Sequence, residues 1–187
     1  HFIPGNLFYY SAMPQLVEML YLPALFFQDE ILAKLIHYLF AILCTLVIVK
    51  IGSKFWSRRV GLLAGLIFIS DLSVAWLSST AYIDLGRSFF EAVSLYYFLF
   101  WLKERRNESL LQSGLILGFA IATKYFALAT LLLDGIFIIF LAQKHRLKKA
   151  LLFILPAILT SIFWFTYAYI HTGNPIYPIF TSNLDNS

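Results

Sequence analysis

The stretch SLLQSGLILGFAIATKYFALATLLLDGIFIIFL, residues 109 to 141, decides how the chain folds. It is nearly continuous apolar sequence, interrupted at Thr123, Lys124 and Tyr125. The charges around it decide whether it is one tilted helix or two. Eleven of the 14 lysines and arginines fall in three clusters. These are Lys50, Lys54, Arg58 and Arg59, then Lys103, Arg105 and Arg106, then Lys144, Arg146, Lys148 and Lys149. In a membrane protein the basic loops gather on the cytoplasmic side. One helix over residues 109 to 141 would put the third cluster opposite the other two, whereas two passes turning at Lys124 bring all three to the same side.

Working outward, the composition calls for a bilayer as solvent. With 60% hydrophobic residues, 13% charged residues and a mean hydropathy of +0.79, a water-soluble domain would have no polar coat. In hydrocarbon every backbone polar group is satisfied within its own segment, and the apolar runs lack the period-2 alternation of a barrel, so the fold class is all-α. The runs cover residues 31 to 51, 60 to 77, 85 to 102, the two halves of 109 to 141, and 150 to 170, which predicts about six transmembrane spans. Residues 1 to 187 then form a single transmembrane domain in the plasma membrane, with residues 1 to 30 an outward juxtamembrane segment. A start at His1 without methionine marks the chain as a piece of a larger domain. The cytoplasmic loops are residues 52 to 59, 103 to 108 and 142 to 149. The outward ones are residues 78 to 84, 123 to 125 and 171 to 187. Trp56 and Trp101 are expected at the inner interface, and Trp76, Tyr82, Tyr125 and Tyr169 at the outer one.

Within this frame Gly61 with Gly65, and Gly114 with Gly118, are G-x-x-x-G pairs that let helices approach closely. Met13, Leu16, Met19, Leu20 and Phe27 fall at helical spacing, with a kink at Pro23, and predict a short amphipathic helix along the outer interface. The lone cysteine, Cys44, reads as a small buried apolar residue. No metal-ligand spacing of His or Cys and no nucleic-acid patch occurs, and the net charge of +4 describes topology.

Ionisable residues within or beside membrane spans are costly, so they carry the functional reading. On a helix beginning near Asp84, the residues Asp84, Arg87 and Glu91 share one face and form a polar stripe entering the bundle from outside. Asp84 equally suits an N-cap, and Arg87 with Glu91 an i, i+4 pair. Lys124, in the outward turn, presents an ammonium for which a phosphate is the obvious ligand, or it snorkels as an anchor. Asp71 and Asp134, deeper in their spans, read as pairing with other helices, and His37 as a hydrogen-bonded helix contact.

Four stretches resemble the GT-C superfamily of polytopic glycosyltransferases, in particular the bacterial and archaeal members related to protein O-mannosyltransferases and lipid A aminoarabinose transferases. They are Met13-Pro14-Gln15-Leu16-Val17-Glu18-Met19-Leu20-Tyr21, Ala81-Tyr82-Ile83-Asp84-Leu85, the run from Gly114 through Thr123-Lys124-Tyr125, and Gly173-Asn174-Pro175-Ile176-Tyr177-Pro178. The resemblance implies transfer of a sugar from a polyprenyl-phosphate-linked donor to a lipid, glycan or protein acceptor at the outer face of the membrane. A carboxylate removes the acceptor's proton, and cationic groups or a divalent metal ion stabilise the departing phosphate. The family's usual first outward acid would lie before His1. Asp84 matches its second, with a role in acceptor orientation or metal contact. Lys124 and Arg87 are then the donor-phosphate residues, and Glu18 and Tyr125 weaker cavity residues. The alternative is a transporter or flippase for a lipid or small solute, with Asp71, Glu91 and Asp134 as its working carboxylates.

Overall fold

The computed structural model describes residues 11–179, and the described residues form helices joined by turns, without a strand. The ends of the segments expected at 1 to 30 and 171 to 187 lie outside those residues. Polar residues punctuate the apolar sequence into helices. Asp29 opens α2 (Glu30–Phe55) by accepting from the Ile31 and Leu32 N–H groups, and Ser57 opens α3 (Arg58–Ser70) by accepting from Val60. A short α1 (Leu22–Phe26) precedes them, and α4 (Leu72–Ser78), α5 (Asp84–Glu104), α6 (Asn107–Thr123), α7 (Ala127–Leu141) and α8 (Arg146–Thr172) follow. The break between α6 and α7 falls at Lys124 to Phe126, where the charge argument requires it. Gly173, at φ 70°, closes α8 in the left-handed conformation that glycine adopts without strain.

The helices run alternately up and down. His37, Phe40, Lys50 and Lys54 of α2 meet Leu85, Phe89, Tyr96 and Phe100 of α5 in the same order, so α2 and α5 are parallel. Asp84, Phe90 and Ser94 of α5 meet Lys124, Phe119 and Ser113 in reversed order, so α6 is antiparallel to α5. Gly114 and Gly118 of α6 lie on Phe153 and Ala157 of α8, a parallel pair. The loops at 78 to 84, 123 to 126 and 173 to 179 therefore share one end with Asp84. The Arg105 guanidinium, donating to the Leu141 carbonyl at 3.0 Å, ties the loops of the opposite end.

Close backbone contact holds the bundle together. A Cβ on Gly114 would strike the Phe153 carbonyl, and one on Gly118 the Thr160 hydroxyl and Ala157 carbonyl. Gly61 and Gly65 lie as tightly against Val49 and Ser53 of α2. Both G-x-x-x-G pairs are thus helix contacts. Ser94 and Ser113 each donate to the other's carbonyl at 2.9 Å, clasping α5 to α6. One core surrounds Trp101, Leu117, Ile121 and Phe153 between α5, α6, α7 and α8. A second, around Val17, Tyr21, Phe40 and Leu85, seats the N-terminal segment on α2 and α5. His37, fully buried, holds its Nδ1 2.9 Å from the Leu77 and Thr80 carbonyls while Nε2 accepts from the Leu85 N–H. Two carbonyls at Nδ1 and a donor at Nε2 fix the neutral Nδ1–H tautomer, the helix contact expected of it.

Elsewhere the structure corrects the sequence reading. Two helices, α2 and α8, are long and apolar enough to cross a membrane, or three if the bent pair α3 and α4 is counted as one span. That is fewer than six. The reason is local: α5 is charged at both ends, and α6 and α7 have 17 and 15 residues, below the about 20 that span a bilayer. Asp71 pairs with no other helix among the described residues. It ends α3 and caps α4, accepting from Ser73 and Val74, and the axis turns by 63° there. Aspartate competes with the helical backbone for its hydrogen bonds, so it starts a helix better than it continues one. The N-terminal segment is no continuous amphipathic helix but a 3-10 turn, Glu18–Tyr21, followed by α1 with Pro23 in its first turn. Trp56, Trp76, Tyr82 and Tyr169 are exposed as interfacial anchors should be, whereas Trp101 and Tyr125 are core residues.

Much of the outer surface is apolar. Leu72, Phe26 and Phe140 are each at least 75% exposed, with Ile67, Leu63, Leu132 and Phe163 also open. Water-soluble monomers do not expose apolar surface on this scale.

Candidate functional site

The Asp84 end of the bundle gathers the charged residues. Asp84 is the first residue of α5, and the capping position is Ile83, so its carboxylate is free for another partner. That partner is Lys124, at the C-terminal cap of α6, whose Nζ donates to Oδ1 at 2.8 Å. Each helix dipole favours its charge there: an acid at the positive end of α5, a cation at the negative end of α6. Both side chains are about one-third exposed, 31% and 35%, so in water the pair contributes on the order of 1 kcal/mol or less to stability.

One turn further along α5, Arg87 Nε lies 3.7 Å from Glu91 Oε2, too long for a hydrogen bond, and this buried nitrogen has no hydrogen-bond partner. Glu91 accepts instead from the Thr130 hydroxyl of α7 at 2.7 Å. Asp134, one turn beyond Thr130, lies within electrostatic reach of Glu91. Arg87 and Glu91 thus stand as the i, i+4 pair the sequence allowed, and Thr130 carries the polar contact onto α7. Thr130 was not singled out in the sequence, although its spacing of four from Asp134 places the two on one face.

The chain segments around this end are tied together by backbone and side chain. The Leu16 N–H donates to the Ala122 carbonyl at 3.0 Å, and the Tyr21 hydroxyl to the Tyr82 carbonyl. Tyr125 stacks on Phe165 and donates its hydroxyl to the Pro175 carbonyl at 2.8 Å. Tyr125 is thus a strut between the Lys124 turn and the Gly173 to Pro178 loop, 7% exposed, and not a wall of an open cavity. Glu18 keeps contact with solvent, yet enough protein crowds its carboxyl that desolvation raises its pKa, while the nearby Lys124 ammonium draws it part of the way back. Burial, with a smaller push from Glu18, raises the Tyr21 phenol as well.

These residues do not make a metal centre. No three His, Cys, Asp or Glu side chains converge among the described residues, and the Asp84 carboxylate is already engaged by Lys124.

A family described as a domain of unknown function, DUF8201, matches residues 21–186, nearly the whole described bundle. The chain belongs to this family. No curated protein and no solved structure matches it. The match takes in Asp84, Arg87, Glu91, Lys124 and the Gly173 to Pro178 loop, so the polar end is part of the DUF8201 domain itself. Glu18 lies just before it.

Proposed function

We propose that this chain is part of a multi-pass plasma-membrane glycosyltransferase, which moves a sugar from a polyprenyl-phosphate-linked donor to a lipid, glycan or protein acceptor at the outer face. The observation that supports it is convergence. The four GT-C-like stretches, spread along nearly the whole chain, meet at one end through Leu16 on Ala122, Tyr21 on Tyr82, Lys124 on Asp84 and Tyr125 on Pro175. In the proposed orientation α2, α8 and the bent pair α3 and α4 cross the membrane, and α5, α6 and α7 pack among them.

The chemistry is nucleophilic displacement at the anomeric carbon. An acceptor oxygen or nitrogen forms the new bond, the bond to the lipid phosphate breaks with its electron pair leaving on phosphate, and the acceptor's proton passes to a carboxylate. Lys124 and the incompletely paired Arg87 face the departing phosphate, and Asp84 orients the acceptor. Phosphate arriving at Lys124 competes with Asp84 for the ammonium, so donor binding frees the carboxylate for the acceptor. Lys124→Ala should raise the KM for the polyprenyl-phosphate sugar about tenfold or more, measured with membranes carrying the full-length protein, and an unchanged KM removes the phosphate role.

Orientation is separately testable, because Cys44 is buried and Cys44→Ala removes the one cysteine of this sequence; other cysteines of the full-length protein are replaced in the same background. A membrane-impermeant thiol reagent should label Ser79→Cys in intact cells, and Asn107→Cys and Gln143→Cys after the membrane is opened. The reverse pattern would place the Asp84 end in the cytoplasm.

One pair of observations favours the transporter reading. The helix break at Asp71 and the Thr130 to Glu91 hydrogen bond between α7 and α5 are arrangements that moving carboxylates use. A transporter leaves its solute chemically unchanged, so the formation of a new glycosidic bond separates the two.

A further inference from the structure

The opposite end of the bundle is not explained by sugar transfer. Lys144, Arg146, Lys148 and Lys149 fall within six residues, and no Asp or Glu occurs in the sequence between Asp134 and Asp185. Among the described residues none of the four joins an ion pair, whereas Arg106 nearby is answered by both Glu104 and Glu108. Two of these cations, Arg146 and Lys149, and the neighbouring Arg105 are held in place. Arg146 Nε donates to the Ala142 carbonyl at 3.1 Å, Arg105 donates to Leu141, and Arg105 and Lys149 both lie over the Trp101 ring, at 5.4 and 5.9 Å.

Their position is electrostatically unfavourable for the chain alone. They stand at the start of α8, a helix whose first turn contains no acid and whose capping residue, His145, offers no side-chain bond to the free N–H groups. A helix start is the positive end of its dipole, which ordinarily attracts acids. The two other basic loops differ, since Ser57 caps α3 in one and Glu108 places an acid in the first turn of α6 in the other. Trp101, fully buried beside Arg105 and Lys149, adds an indole N–H without an acceptor. An open cavity of about 570 Å³ lies here, lined by Gln143, His145, Arg146, Leu147 and Lys148. Leu147 is 73% exposed among these cations. An apolar side chain standing within a cationic surface fits a lipid interface, where it enters the acyl layer while its neighbours meet phosphates, and not a free anion in water.

We propose that this surface at the start of α8 binds the phosphate headgroups of anionic phospholipids in the cytoplasmic leaflet, and that this contact stabilises the bundle. It rests on the multi-pass orientation proposed above but not on sugar transfer.

The test is thermal unfolding of the full-length protein in zwitterionic detergent, titrated with phosphatidylglycerol, phosphatidylcholine or inorganic phosphate. Saturating phosphatidylglycerol should raise the unfolding midpoint by about 5 °C, with phosphatidylcholine and inorganic phosphate changing it by less than about 1 °C. Combining Arg146→Gln, Lys148→Gln and Lys149→Gln should abolish the shift, and Arg58→Gln with Arg59→Gln in the capped loop should keep it. No shift with phosphatidylglycerol, an equal shift with phosphatidylcholine, or a shift surviving the triple substitution overturns the proposal. An equal shift with inorganic phosphate overturns the lipid assignment. If the triple variant does not fold, the three ligands on the parental protein still decide. A lipid shift kept in a protein without transferase activity counts against the transferase reading alone.

Discussion

Asp84→Asn should lower kcat/KM for glycosyl transfer by about 100-fold or more while the protein still folds and reaches the membrane. The effect separates from stability because the two roles of the carboxylate differ in size. As the partner of Lys124 it is about one-third exposed, and such a pair contributes on the order of 1 kcal/mol or less, well short of unfolding a bundle held by glycine contacts. As the group that orients an acceptor against the anomeric carbon, it acts on the transition state, where misplacement costs about two orders of magnitude. Asparagine keeps the volume and an oxygen acceptor but loses the charge. Full-length protein in membranes, assayed with labelled polyprenyl-phosphate sugar, checks it. Parental turnover in the variant would leave Asp84 as nothing more than the counter-ion of Lys124.

The second large effect is on stability. Gly114→Ala should destabilise the bundle by about 3 kcal/mol or more, or prevent its accumulation, because the new methyl meets the Phe153 backbone. No rotamer change relieves such a clash, so α6 and α8 must part along the seam that carries Leu117, Ile121 and Ala157. Gly135→Ala is the control. Its Cβ would find only the tip of Ile154 at 3.6 Å, so the substitution should be neutral or stabilising by up to about 1 kcal/mol, the usual gain of alanine over glycine inside a helix. Thermal unfolding in detergent compares the two. Equal effects would mean that α6 and α8 are not in backbone contact.

Apolar runs are legible because hydrocarbon and helix packing both demand them. The run starts near residues 31, 60, 85, 109 and 150 therefore lie close to the observed starts of α2, α3, α5, α6 and α8, and the turn at 123 to 125 lies just before α7. The turn at Lys124 was readable from charge alone, since loops on one side share a sign. What the runs hide is how a single polar residue acts inside them. Asp71 reads as an intramembrane charge in search of a partner, yet it finds its partners in the next three residues of its own chain and breaks the helix. Trp101 reads as an interfacial anchor because it sits next to a basic cluster, yet it is buried, with Arg105 and Lys149 lying over its ring. Periodicity also over-extended the N-terminal segment. The spacing of Met13, Leu16 and Leu20 suits a helix, but Leu16 gives its N–H to Ala122, a contact that no local pattern encodes.

The candidate site divides in the same way. Asp84, Arg87 and Glu91 follow from helical spacing on α5, and Arg87 and Glu91 stand as an i, i+4 pair. The bond from Lys124 to Asp84 joins residues 40 apart, and that from Tyr125 to Pro175 residues 50 apart, so only the folded chain reveals them.

The most direct test of the account is mass analysis of the cell-envelope glycans and polyprenyl-phosphate sugars in a strain lacking the gene, carrying either the parental copy or Asp84→Asn. The account predicts that deletion removes one glycosyl increment from an envelope acceptor and that the lipid-linked donor accumulates. The parental copy should restore both and the Asp84→Asn copy neither. Glycans and donor pool that are unchanged by the deletion would contradict it.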